Sequence, residues 1–127
     1  MAIAKANVEN IYPLTPMQEG MLFHALKEPR STAYFEQLSW HLCGVADVPL
    51  LERCWNTLVR RHAVLRSVFT HQNTDRPLQI VLREQPLTID VHDLRCDDTA
   101  AAVEAFKAAD RARGFALESG PLMRVAV

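Results

Sequence analysis

The chain has 127 residues, 49% of them hydrophobic, so it can bury a core and corresponds to about one domain or to one lobe of a larger domain. Its 14 Lys and Arg residues nearly balance its 15 Asp and Glu residues, which argues against nucleic acid or a membrane surface as a partner. Three cysteines fit no disulfide framework, and no apolar run approaches a signal-peptide core or the ~20 residues of a membrane span, so we expect a cytoplasmic protein.

The first predicted element is a helix that begins just after Thr15. Thr15 is a good N-cap, Pro16 suits the first helical position, and Gln18 completes a capping box. We expect the helix to end near Lys27, because Pro29 disfavours helical geometry in the residue before it.

This helix carries an unusual set of soft apolar residues, Met17, Met21 and Phe23. Most simply they form a core face, because methionine fills irregular cores. The alternative is an adaptable docking surface, which is another recurrent use of methionine. Composition does not decide between a core face and a docking surface.

A half-buried strand is predicted next, over "YFEQLSWHLCG" at 34–44. Leu38, Trp40 and Leu42 alternate with polar residues, so they fall on one side of an extended chain. Gly44 closes the segment.

An amphipathic helix follows, with Asp47 as its cap, and runs through "LLERCWNTLVRRHAVLR" at 50–66. Its apolar stripe consists of Leu51, Trp55, Leu58, His62 and Leu65. A histidine inside such a stripe is more often a hydrogen-bonded core residue than a catalyst, so we interpret His62 as core.

Short β-prone runs, "SVFT", "LQIVLR" and "LTIDVHDL", come next and are separated by polar turns. An Ala-rich third helix follows, with Asp97, Asp98 or Thr99 as its cap and Gly114 near its end. The run "PLMRVAV" then begins a last strand. This order predicts an α+β fold, a two-layer α/β sandwich with helices packed on a mixed, mainly antiparallel sheet.

That last strand stops at its apolar residues. Backbone donors and acceptors of a buried strand need partners on both sides. We therefore expect residues 1–127 to be an excised lobe whose continuation follows Val127.

Motifs for catalysis or metal binding are missing from the sequence. The five histidines are His24, His41, His62, His71 and His92, and no two have the spacing of a zinc hydrolase, so no metal site is predicted. There is no Gly-x-Ser-x-Gly elbow, phosphate-binding glycine loop or dinucleotide fingerprint. Cys54 and His62 are eight residues apart on the predicted helix, or roughly 12 Å along its axis, which excludes a Cys-His pair within it.

Two segments carry a family resemblance. The first signature segment, "YPLTPMQEGMLFH" at 12–24, and the second, "RRHAVLRSVF" at 60–69, closely resemble those of condensation domains from nonribosomal peptide synthetases. The resemblance covers residues 9–127 and implies one lobe, the N-terminal one, of a chloramphenicol-acetyltransferase-like fold. In that family the amine of a carrier-bound aminoacyl thioester attacks an upstream carrier-bound thioester. A His-His-x-x-x-Asp-Gly motif supplies the histidine that positions or deprotonates the amine.

The resemblance implies no catalytic residue within the chain. No His-His pair is present, so the motif is expected after Val127 and the fragment alone is expected to be inactive. Residues that match the second segment, with a family role of supporting the lobe and the active-site loop, are Arg61, His62, Leu65 and Arg66. Residues of the first segment, which we expect to border a docking surface, are Thr15, Pro16, Met17, Gln18, Gly20 and Met21.

The partners implied by the resemblance are peptidyl carrier proteins and the remaining C-terminal lobe of the same domain. Phosphopantetheine would arrive on the carriers, with no cofactor bound directly. If Met1 is the natural start, the C-terminal docking helix of an upstream synthetase is a further partner. The form Pro-Met-Gln-Glu-Gly is more similar to domains that accept a donor ending in a D-residue. A noncatalytic docking module and the start of an epimerisation domain stay open as alternatives.

Overall fold

The computed structural model describes residues 3–29, 31–72 and 74–127. This part of the chain contains three α-helices and five strands. In chain order they are β1 (Val8–Pro13), α1 (Pro16–Lys27), α2 (Val48–Arg61), β2 (Ser67–Thr70), β3 (Leu78–Leu82), β4 (Ile89–Asp90), α3 (Thr99–Arg113) and β5 (Val125–Ala126). Short 3-10 turns at Lys5–Asn7 and Ala63–Arg66 precede β1 and β2.

Strand β3 is the centre of a three-stranded antiparallel sheet in the order β1-β3-β2. Ile80 on β3 lies opposite Ile11 on one side and Val68 on the other. Strands β4 and β5 form a separate parallel pair, in which Ile89 lies opposite Val125. Helices combined with mixed, mainly antiparallel strands confirm the predicted α+β class.

The start of α1 is the predicted capping box. Thr15 Oγ1 accepts the backbone N–H of Gln18 at 3.3 Å, and Gln18 Oε1 accepts the backbone N–H of Thr15 at 2.9 Å. Each side chain thereby satisfies a donor that the first turn leaves unpaired. Pro16 takes the first helical position and the helix ends at Lys27, as predicted.

Helix α2 begins as predicted but ends early. Asp47 Oδ1 accepts the backbone N–H of Leu50 at 2.9 Å. His62 has extended backbone angles, φ −113° and ψ 106°, so the helical ladder stops at Arg61. The segment Ala63–Arg66 continues as a 3-10 turn, and the prediction of one helix through 66 is wrong at this end.

Helix α3 is confirmed at both ends. Among the three predicted caps it is Asp98 whose side chain accepts a backbone N–H, that of Ala101, at 3.0 Å. Gly114 ends the helix with φ at 60°, a backbone conformation that residues with a Cβ atom rarely adopt.

One cluster of the hydrophobic core lies where α2 meets the β4–β5 pair. Val59 of α2 packs with Leu87 and Ile89, and all three are buried. Partly buried residues packed against this cluster are Val48, Leu51, Trp55, Leu65, Met123 and Val125. The middle of the chain and its C-terminal part are therefore held together by apolar contact.

The strand predicted over 34–44 is not formed. Leu38, Trp40 and Leu42 are 72%, 70% and 73% exposed. No backbone group of residues 36–43, called the 36–43 segment below, makes a backbone hydrogen bond within the described chain. A strand needs a neighbour to complete its ladder, and no described segment occupies that position, so alternation alone does not produce a strand here.

We expect Thr15→Ala to lower the free energy of unfolding by about 1 kcal/mol, because it removes the acceptor of the Gln18 N–H. Urea denaturation followed by circular dichroism measures the change. The matched control is Met17→Ala on the exposed side of the same turn, which should stay within about 0.5 kcal/mol of the parent. Equal losses in the two variants would contradict a specific contribution from the cap.

Candidate functional site

The first signature segment presents its apolar side chains to solvent. On α1, Leu22 is buried, whereas Met17, Met21 and Phe23 are 78%, 38% and 59% exposed. The core-face interpretation of these three residues is therefore wrong, because α1 turns Leu22 rather than the methionines inward. A Cβ added at Gly20 would meet nothing within 4 Å, so packing does not require glycine there. The docking alternative stays a prediction.

The second signature segment contributes a buried cation. The guanidinium of Arg66, with its side chain only 8% exposed, donates to Glu9 Oε2 at 2.6 Å. It also donates through Nε to the carbonyl of Val59 at 3.1 Å and through Nη1 to the carbonyl of Leu82. These three acceptors belong to β1, α2 and β3, so one side chain joins three elements. Charge-assisted bonds of this kind are about twice as strong as neutral ones.

The other matched residues of the second segment are placed differently. Arg61 and His62 are exposed, and Leu65 is half-buried against the core cluster. The interpretation of His62 as a core residue is wrong, because α2 ends at Arg61 and His62 leaves the apolar stripe. Arg66 is therefore the polar residue of this set that the fold encloses.

A chain of side-chain hydrogen bonds links the two signature segments. Gln18 Nε2 donates to Gln79 Oε1 at 3.0 Å, and Gln79 Nε2 donates to Ser67 Oγ at 2.8 Å. Ser67 Oγ in turn donates to the carbonyl of Ala63 at 3.1 Å. Gln79 connects the start of α1 to β2 across the sheet, and sequence reasoning missed it. The available signal was a polar residue inside the apolar run "LQIVL" of β3.

A second polar cluster holds the beginning of the 36–43 segment. Asp110 on α3 accepts Gln37 Nε2 at 3.1 Å and Arg124 Nε at 2.8 Å through its two carboxylate oxygens. Arg111 donates to Gln37 Oε1 at 2.6 Å. The Arg124 guanidinium also lies 4.1 Å from the ring centre of Phe115, a favourable cation–π distance. The cluster therefore fixes residue 37 and the chain just before β5 on the same end of α3.

The carboxyl groups with shifted pKa values lie outside these two polar clusters. The pKa of Asp93 is lowered by hydrogen bonds from Arg95, and the pKa of Glu104 by its hydrogen bond from Lys107; both are local surface pairs. Within residues 3–29, 31–72 and 74–127, no three His, Cys, Asp or Glu residues are placed to share a metal ion. No helix in those ranges has the length and apolarity needed to cross a bilayer.

We expect Arg66→Lys to lower the free energy of unfolding by about 2 kcal/mol or more. A single ammonium cannot replace the guanidinium fork, so buried carbonyls lose their donors. Chemical denaturation measures the loss, and Arg61→Lys, at an exposed site in the same segment, should stay within about 0.5 kcal/mol of the parent. Unchanged stability in the Arg66 variant would show that this cluster does not hold the three elements.

Comparison with known proteins agrees with the signature segments. The family model described as "Condensation domain" matches residues 8–127. The chain is 41% identical over 127 residues to tyrocidine synthase 2 of Brevibacillus parabrevis, covering 98% of this chain and 4% of that protein. It is 40% identical over 126 residues to gramicidin S synthase 2 of Brevibacillus brevis, which covers 97% of this chain and 3% of that protein. It is 40% identical over 123 residues to bacitracin synthase 3 of Bacillus licheniformis, which covers 94% of this chain and 2% of that protein. It spans a small fraction of these relatives, and it belongs to the condensation-domain family of nonribosomal peptide synthetases.

Proposed function

We propose that residues 1–127 are the N-terminal part of a condensation domain that forms an amide bond between two carrier-bound thioesters. The observation that carries this proposal is the match of the condensation-domain family model to residues 8–127, and the 36–43 segment, a β-prone stretch without a strand partner in the described chain, supports a place in a larger sheet. The β4–β5 pair is also short, with two residues paired on each strand. Both features are expected of a sheet that lacks part of its strands.

In the proposed reaction the amino nitrogen of the downstream aminoacyl group attacks the carbonyl carbon of the upstream thioester. A tetrahedral oxyanion forms, the C–S bond breaks, and the upstream thiol leaves and takes up a proton, while a base receives the proton of the amine. Both substrates arrive on the phosphopantetheine arms of carrier proteins, so this chain needs no cofactor of its own. The His-His-x-x-x-Asp-Gly motif is absent from residues 1–127, and we propose that it follows Val127.

The role of this chain in the proposed reaction is structural, because it holds together the elements that support the catalytic loop. Arg66 ties the end of α2 to β1 and β3, and Asp110 ties residue 37 and Arg124 to α3. A catalytic loop that follows β5 would take its position from these fixed elements. Rigid support of this kind matters because small displacements of reacting groups lower rates strongly.

A second candidate function is docking of an upstream synthetase, and the exposed apolar residues of α1 favour it. Met17, Met21, Phe23 and Leu26 remain exposed on one short helix. An amphipathic helix of apolar and charged residues is a suitable occupant, because methionine-rich surfaces adapt to such partners. We propose that the C-terminal helix of an upstream synthetase binds here.

The amide-forming proposal is tested with loaded carrier proteins, one acyl or peptidyl and one aminoacyl, and mass spectrometry of the product. We expect no amide above background from the 127-residue chain, and product from a chain extended through the polypeptide that follows in the parent protein. Replacing the second histidine of the expected motif by alanine should abolish that product. Amide formation by residues 1–127 alone would overturn the proposal. Racemised but uncondensed substrate would favour an epimerisation domain. A stop codon directly after Val127 in the parent gene would favour a noncatalytic docking module.

Docking is tested by NMR titration of the isotope-labelled chain with a peptide from an upstream synthetase C-terminus. We expect shifts centred on α1 and a Kd in the micromolar range or weaker, typical of small transient contacts. Met17→Gln should weaken binding, whereas Val64→Gln, at a comparably exposed apolar site in the 3-10 turn, should not. The absence of shifted resonances at millimolar peptide would exclude this surface as the docking site.

A further inference from the structure

We propose that a hole on the exposed side of α1 receives one large apolar side chain, such as leucine, from the docking helix of the upstream synthetase. This hole, called the Gly20 hole below, is lined by Met17, Gly20, Met21 and His24. The inference rests on the docking function proposed above and names the contact at its centre.

The described chain gives no structural reason for a glycine inside α1. Glycine destabilises a helix interior, because it loses more backbone freedom on folding than other residues do. The other three glycines have positive φ, between 55° and 104°, and Gly120 also has Val68 Cγ1 only 2.9 Å from the position of a Cβ. Gly20 is helical, and a Cβ there meets nothing within 4 Å. A helix-breaking residue without a local reason is expected at a functional contact.

The spacing of the residues around Gly20 is that of a helix–helix contact. Four residues at positions i, i+3, i+4 and i+7 of one helix enclose the place where a facing helix inserts one side chain. On α1 these are Met17, Gly20, Met21 and His24, and all four are exposed, so neither α2 nor α3 covers them. Leu22, the buried residue of α1, lies two residues after Gly20, or about 200° round the helix. The Gly20 hole therefore faces away from the side that α1 buries.

The side chains that line the Gly20 hole suit a large apolar guest. Met17 and Met21 are unbranched and polarisable, so they adapt to the shape of an inserted side chain. The ring of His24 contacts the rings of Phe23 and Tyr34, at centroid distances of 5.8 Å and 6.0 Å, which restricts this side of the hole before a partner arrives. Because Gly20 has no side chain, the guest can reach the backbone of α1.

Two measurements on Gly20→Leu test the inference. Leucine favours a helix more than glycine does and meets open space here, so the midpoint of urea denaturation should rise. The same leucine fills the hole, so we expect the Kd of a synthetic peptide of the upstream C-terminal helix to rise about tenfold or more. Gly20→Ala should raise the midpoint as well, with a smaller increase in Kd.

A matched variant and an internal reference control the binding measurement. Ala25→Leu places the same side chain at an exposed position of α1 outside the hole, so the Kd should stay within about twofold of the parent. In methyl NMR of the methionines, the peptide should shift the resonances of Met17 and Met21. The resonance of Met123, which packs against the core cluster, should not move.

The possible outcomes separate this inference from the docking proposal. A parent chain whose α1 resonances do not respond to the peptide would overturn both. If Gly20→Leu binds the peptide as tightly as the parent, docking on α1 stands and the Gly20 hole is wrong. In the chain extended through the polypeptide that follows, a lower urea midpoint for Gly20→Leu than for the parent would show that the rest of the domain fills the hole, which would also overturn the inference.

Discussion

The buried guanidinium of Arg66 is the constraint on which the arrangement of this chain depends. A cation enclosed to this degree must find acceptors for its N–H groups, since an unpaired buried charge is strongly destabilising. The acceptors come from the end of α2, from β3 and from Glu9 on β1. The early end of α2 at Arg61 and the 3-10 turn that follows bring Arg66 back beneath the carbonyl of Val59. The 3-10 turn between α2 and β2 thus places the Arg66 guanidinium where it makes these hydrogen bonds.

Elements defined by local chemistry were predictable from the sequence. The caps of α1, α2 and α3 each depend on a side chain that bonds a backbone N–H three residues later, at Thr15, Asp47 and Asp98. Both partners of each contact lie within one helical turn, so the contact does not need tertiary structure. The α+β class followed in the same way, because the elements and their order are enough to assign it.

Features that depend on distant partners were not predictable. The alternation of Leu38, Trp40 and Leu42 is that of a strand, but pairing is decided by a neighbour that the described chain does not supply. Strand β1 was missed because Asn10 and Pro13 weaken its local β pattern, and pairing with β3 forms it nevertheless. At the site, Arg66 was singled out by the family resemblance, whereas the bridging position of Gln79 is visible only once β3 lies between α1 and β2.

The amide chain from Gln18 through Gln79 to Ser67 has a consequence for recombination between synthetases. Its members are spread widely along the sequence, so a crossover anywhere between residues 18 and 79 takes them from different parents. Such a chimera keeps the link only where both parents supply matching donors and acceptors. A crossover before residue 18 or beyond residue 79 inherits all three side chains from one ancestor, so this link makes the stretch between residues 18 and 79 a poor place to join unrelated sequences.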